Sequence, residues 1–293
     1  MFDGFEEFDV DAGGVTIHGR RGGSGPPLLL LHGHPQTHVM WHLVAPRLAT
    51  RFTVVCTDLR GYGASSKPAP TPDHAAHSKL AMARDQVEVM RQLGFDTFGL
   101  VGHDRGARCA YRLALDHPAQ VSALALLDII PTAEMWRRWD RALSLANWHW
   151  SFLAQPHDVP ERVIGADPRA YFTRSWPAPD RPPPHWTDAA ANAYLDAYLD
   201  PATREAICED YRAGATIDVD HDEADRGVRR IGSPLLVLWS PREELDRFDV
   251  LDIWREWADD VRGRSIDAGH FLPEEAPDEV TSALLEFFGA TPA

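Results

Sequence analysis

Short apolar runs punctuate the chain. They are Leu28–Leu31, Phe52–Cys56, Phe98–Val101, Ser122–Leu127, Pro234–Trp239 and Arg264–Ile266, each bounded by polar or turn residues. Runs of this length with such borders predict buried strands. Between the early runs, residues 80–93 and 107–115 carry apolar positions at helical spacing. Alternation of strand and helix predicts an α/β fold, with a mostly parallel central sheet covered by helices on both faces. Ahead of it, Glu6–Arg20 with Gly13-Gly14 at its middle predicts a β-hairpin.

The alternation stops after Leu127. From Pro131 to about Val219 no strand-like run occurs, only helical segments broken by prolines, as in SWPAPDRPPPHW, Ser175–Trp186. Six of the ten tryptophans fall here. The pattern predicts a helical cap over 131–219, inserted into a core domain made of 1–130 and 220–293. The proline cluster is expected to be a stiff loop rather than a peptide-binding motif.

Composition narrows the function classes. The 293 residues are 44% hydrophobic, enough for a sizeable core, and carry a net charge of −15. That charge argues against a nucleic-acid partner. The start, MFDGFEEFDV, has no basic segment leading into an apolar one, and no run approaches the ~18 apolar residues of a membrane span. Cys56, Cys109 and Cys208 are odd in number and scattered, which suits reduced thiols in the cytoplasm.

The chemistry concentrates around VGHDRGAR. Gly102 and Gly106 flank Asp104 by two residues on each side, between a predicted strand and a predicted helix. This strand–turn–helix context is that of the nucleophile elbow of α/β hydrolases, with aspartate in place of serine. An upstream strand ends in HGHP, whose loop would supply one oxyanion N–H, from His34, beside that of Arg105. Downstream, the strand Ser122–Leu127 runs into Asp128, and DAGHFLPEE sets His270 on a loop near the C-terminus. Nucleophile, acid and histidine thus come in the chain order of that fold. Glu243, Glu244 and Asp246 remain alternatives for the acid. His32, His34, His38 and His42 lack a carboxylate or cysteine at ligand-like spacing, so neither a metal nor another cofactor is expected.

An aspartate nucleophile suits a saturated carbon with a leaving group, or an epoxide, because attack leaves an alkyl ester that water can open at the protein's own carbonyl. Arg105 and Arg108, three apart on one helix, are natural partners for a carboxylate. They predict a small anionic substrate whose carboxylate lies beside the reacting carbon.

With these residues the chain resembles the fluoroacetate (haloacetate) dehalogenases of the α/β-hydrolase superfamily. The resemblance covers nearly the whole length, through HGHPQTHVMW, DLRGYGASSKP, GHDRGAR, LALLDIIPT, HWSFLAQP, CEDYRAGA and AGHFLPEEAP. It implies Asp104 as nucleophile, His270 as base, Asp128 as its orienting acid, and Arg105 with Arg108 as the carboxylate clamp. It implies a halide pocket of His149, Trp150 and Tyr211, a pocket-lining Trp176, haloacid substrates and a homodimer. The chain departs from the family pattern at His34, where an aromatic such as phenylalanine is expected, and in a shortened middle of the cap. Two rivals stand beside this reading. An epoxide hydrolase would share Asp104 and HGHP and would need cap tyrosines, for which Tyr194, Tyr198 and Tyr211 are candidates. A non-catalytic small-acid binding protein would have no use for the triad.

Overall fold

The computed structural model describes residues 1–290. Eight strands form one sheet in the order β1-β2-β4-β3-β5-β6-β7-β8. They are β1 (Glu6–Asp11), β2 (Thr16–Gly22), β3 (Pro27–Leu31), β4 (Thr53–Thr57), β5 (Phe98–His103), β6 (Val121–Leu127), β7 (Leu235–Trp239) and β8 (Val261–Ser265). The β1–β2 hairpin and its junction with β4 are antiparallel, and every other pairing is parallel. This is the α/β-hydrolase architecture that the alternation predicts. β5, at the middle, is buried at all six positions, as a parallel strand covered on both faces must be.

Register positions the chemistry. His103 of β5 lies opposite Leu127 of β6, and Leu127 lies opposite Leu238 of β7. The residues that follow, Asp104 and Asp128, therefore leave the same carboxyl edge of the sheet side by side. Both have left-handed backbones, φ 48° and 57°, which are strained for a residue with a Cβ. Close packing forces the two glycines of the elbow. A Cβ on Gly102 would lie 2.5 Å from Ala107 Cα, and one on Gly106 2.3 Å from the His32 carbonyl oxygen.

Between β6 and β7 the described residues are helical or irregular, apart from isolated bridges between Ala178 and Arg181 and from Ile231 to Ala258. The helices run on to Asp225, because the last of them, Ile217–Asp225, crosses the boundary expected at Val219. Although its sequence is acidic, Asp218, Asp222 and Asp225 are buried. Each has a partner: Asp218 accepts from Lys79 N, Asp222 from Tyr111 Oη and Ala133 N, and Asp225 pairs with Arg112. The last strand also differs from expectation, at Val261–Ser265 instead of 264–266. It is an edge strand of sequence VRGRS with no buried position, so it carries no apolar run to be seen. No helix is long and apolar enough to cross a membrane among the described residues.

Candidate active site

A cavity of about 400 Å³ opens between the carboxyl edge of the sheet and the inserted helices. Asp104, Asp128 and His270 line it, with Arg108, His34, His149, Trp150 and Tyr211. Asp104 begins the Asp104–Asp116 helix at the elbow. Its Oδ1 accepts from the His34 backbone N–H at 2.8 Å, while Oδ2 lies 3.9 Å from His270 Nε2. The two carboxylate oxygens are thus unequal: one is held by the backbone and the other faces the histidine.

His270 is fixed from two sides. Its Nδ1 lies 2.6 Å from Asp128 Oδ2, and Asp128 Oδ1 accepts from Ser240 N at 2.8 Å. His103 Nε2 donates to the His270 carbonyl at 2.8 Å, which pins the loop to the end of β5. Among the alternatives for the acid, Glu243 and Glu244 line the cavity, but it is Asp128 that bonds the imidazole. Burial would lower the His270 pKa. The hydrogen bond and charge of Asp128, with Asp104 and Glu243 behind them, outweigh it and raise the value to about 9. For Asp104, burial would raise the pKa, but His270, His103, Arg105 and Arg108 hold it well below the ordinary carboxylate range.

The two arginines are not equivalent. Arg105 is fully buried and donates Nε and Nη2 to Asp210 at 3.0 and 2.6 Å. Asp210, on the Pro201–Ala215 helix, also accepts from Tyr62 Oη at 2.7 Å and from Lys79 Nζ. Arg105 is therefore ion-paired within a buried cluster; its guanidinium lies 4.3 Å over the Tyr211 ring, and Nη1 is left without a partner. Arg108 has no carboxylate within ion-pair distance among the described residues. Its Nη1 donates to Thr132 Oγ1 at 3.0 Å and to the Ile130 carbonyl at 3.2 Å, and its guanidinium stacks 4.6 Å over Trp150. Tyr111 stands behind Thr132 at 2.9 Å and donates to Asp222 at 2.8 Å. Of the pair, Arg108 lines the cavity and Arg105 does not.

The inserted helices bring a group of donors over Asp104. The Tyr211 ring centre lies 5.5 Å from that of His34, 5.8 Å from His149 and 6.3 Å from Trp150. No described residue accepts from Trp150 Nε1. Burial lowers the pKa of His34 to about 3 and of His149 to about 4, so both rings are neutral near pH 7. Trp176 does not reach the wall. It packs at 5.8 Å on Phe172 and 6.4 Å on Trp186, and these two line the cavity in its place. Of the three tyrosines considered for an epoxide, Tyr194 is bonded to Glu274 at 2.8 Å outside the cavity, whereas Tyr198 and Tyr211 line it.

Sequence reasoning missed Trp186 and Arg174 of the wall, and Asp210 and Thr132, which hold the two arginines from behind it. Asp210 left one trace, a charged residue directly before Tyr211 in CEDYRAGA. A possible cation site elsewhere, with ligand atoms of His18, His38 and Asp58 within 4.8 Å of one another, is already engaged. Asp58 Oδ1 accepts from His38 Nδ1 at 2.9 Å, and Arg20 Nε points at His38 Nε2 at 3.2 Å, where a metal would be repelled.

Comparison with known proteins agrees with the fold. The α/β-hydrolase fold family matches residues 26–277. A fluoroacetate dehalogenase from Burkholderia sp. is 47% identical over 98% of this chain and 95% of its own. A soluble epoxide hydrolase from Corynebacterium sp. (strain C12) is 32% identical over 94% of each chain. The crystal structure of a putative α/β hydrolase from Nostoc sp. PCC 7120 superimposes with a TM-score of 0.95 at 51% identity, covering 99% of this chain and 100% of that one.

Proposed function

We propose, from the premise that the chain belongs to the α/β-hydrolase family and within it to the fluoroacetate dehalogenase family, that it hydrolyses the carbon–halogen bond of small 2-haloacids. The observation that carries this reading is an aspartate at the elbow, one oxygen directed toward the cavity and His270, beside an arginine that has no ion-pair partner among the described residues. Arg108 takes the substrate carboxylate; Arg105, outside the cavity wall and paired with Asp210, adds only its charge from behind. Asp104 Oδ2 attacks the carbon that bears the halogen. The C–O bond forms as the carbon–halogen bond breaks, and the halide leaves with the bonding pair. Oδ1, already held by His34 N–H, becomes the carbonyl oxygen of the ester.

Three donors meet the departing halide: the Trp150 N–H, the Tyr211 O–H and the neutral His149 imidazole. Fluoride is a poor leaving group and a strong acceptor, so it gains most from them. Water then loses a proton to His270 Nε2 and adds to the Asp104 carbonyl carbon. The oxyanion on Oδ1 is stabilised by the His34 and Arg105 backbone N–H groups. The intermediate collapses as the departing hydroxyacid oxygen takes the proton back from His270, and Asp104 loses the remaining hydroxyl proton to solvent and is restored; the sum is haloacid and water giving hydroxyacid, halide and a proton.

Esterification also changes the base. Asp104 ceases to be an anion, so one of the charges that keep His270 protonated disappears, and the imidazole becomes a competent acceptor only once there is an ester to open. The homodimer would have apolar surface to cover on the helices that bear Leu145, Trp148, Val159 and Val163, all exposed. An epoxide hydrolase is the second reading. Tyr198 and Tyr211 in the cavity wall favour it, and Arg108 has no role there.

The test is His270→Ala with chloroacetate. One equivalent of chloride and a carboxymethyl group on the Asp104 peptide are expected, without turnover. Chloride release with unchanged protein mass refutes the ester. Wild-type protein that frees no halide from fluoroacetate or chloroacetate but forms a diol from styrene oxide selects the second reading.

A further inference from the structure

The cavity wall has a charge imbalance that the reaction does not need. Four carboxylates line it, Asp104, Asp128, Glu243 and Glu244, against two guanidiniums, Arg108 and Arg174, and the protonated His270 ring. Arg108 is 3% exposed, at the inner end. Glu243 and Glu244 are half-buried and belong to the loop after β7. A monocarboxylate approaching a protein of net charge −15 meets repulsion first from the surface and then from this pair.

Arg174 is the exposed cation of the wall. It sits in the Thr173–Ser175 turn of the inserted segment. It has no ion-pair partner among the described residues. Its Nη1 donates to the Tyr171 carbonyl at 2.7 Å, and its guanidinium lies 4.2 Å over the Tyr171 ring and 5.4 Å from the Trp148 ring. Such stacking holds the head in place without cancelling its charge. Its field also reaches inward, since its charge acts on both His34 and His149.

Resting on the reading that the substrate is a small monocarboxylate, we propose that Arg174 is the anion-collecting residue of the cavity mouth, a specificity determinant that concentrates carboxylates before Arg108 binds them. It acts through solvent and takes no part in bond breaking. Its effect therefore falls on KM, is screened by salt, and is absent for uncharged substrates.

The experiment compares Arg174→Gln with Arg169→Gln, an exposed residue of the same segment that is not in the wall and whose loss changes net charge equally. At about 0.01 M ionic strength, where charges act over roughly 30 Å, Arg174→Gln is expected to raise KM for chloroacetate about three- to tenfold with kcat unchanged. At about 1 M, where the range is roughly 3 Å, the difference falls within about twofold. Arg169→Gln and the neutral substrate chloroacetamide are expected to register no such effect. An equal KM increase at both salt concentrations, an equal effect of Arg169→Gln, or unchanged KM at low salt overturns the proposal. Acetate titrations of the same variants, followed by NMR, need no turnover. If wild-type protein releases no halide, the dehalogenase reading fails, while weaker, salt-sensitive acetate binding by Arg174→Gln still supports its role and unaltered binding still refutes it.

Discussion

Replacing Asp104 by asparagine removes one negative charge beside His270 while keeping the side chain's shape, much as esterification does. The Oδ2–Nε2 separation is 3.9 Å. At that distance two unit charges interact by about 4 kcal/mol for an effective dielectric of 20. At 1.36 kcal/mol per pKa unit this is about 3 units. The His270 side chain is 31% exposed, so solvent screens part of the interaction, and a shift of about 1–3 units is expected. The sign is fixed: losing a nearby anion disfavours imidazolium, so the pKa falls from about 9 toward roughly 6–8. The assay is an NMR pH titration of the histidine ring, with the His270 signal assigned by its loss in His270→Gln. In wild-type protein, rapid-quench kinetics with chloroacetate should give ester formation that is flat with pH from mildly acid to neutral conditions. Ester hydrolysis should rise with pH through the lowered pKa. If His270 titrates at the same pH in wild type and Asp104→Asn, the two groups are not electrostatically coupled and the activation of the base by esterification is wrong.

The other expectations are more local. Arg108→Ala should lose ~10–100-fold in kcat/KM for haloacetates, the loss of a charge-assisted hydrogen bond of ~1.5–3 kcal/mol, and far less for haloacetamide; equal losses on both remove Arg108 from the clamp. Trp150→Phe keeps the ring but not the N–H, so single-turnover fluoroacetate cleavage should slow ~10- to 150-fold and chloroacetate cleavage only several-fold. Equal factors in the two reactions would make Trp150 a packing residue. Asp210→Ala leaves Arg105 and Lys79 buried without their shared counter-charge and should cost ~3–5 kcal/mol in urea unfolding; a loss below ~1 kcal/mol would mean that the cluster relaxes or hydrates.

The parts of the molecule legible in its sequence are those where a local pattern and the global fold agree. β3 reads as a strand because Leu28–Leu31 is buried on both faces, and the elbow reads from two glycines that packing leaves no choice about. Asp128 stood out by lying one residue beyond a buried run, and Asp104 by the glycines two residues to either side. What was hidden depends on contacts between distant segments. That Arg105 is ion-paired and Arg108 is not is decided by Asp210, 105 residues away. Trp176 and Trp186 are both tryptophans in a proline-broken stretch, and only the path of the loop determines which one faces the cavity. The acidic Ile217–Asp225 helix was obscure for a related reason, since buried carboxylates and solvated ones are the same letters until their partners are known.

Asp210 also bears on how the family could diversify. One carboxylate on an inserted helix closes a circuit with Tyr62, Lys79 and Arg105, which come from three separate segments of the core. The inserted segment is therefore not a freely exchangeable module. A chimera that grafts residues 131–219 onto another hydrolase core carries an unmatched buried anion unless that core already offers the same three donors. The reverse graft strands two buried cations. Exchange of this segment between relatives should succeed only when positions 62, 79 and 105 travel with 210, even though none of the four lines the cavity. In directed recombination, the compatible crossover points are those that keep this quartet in one parent.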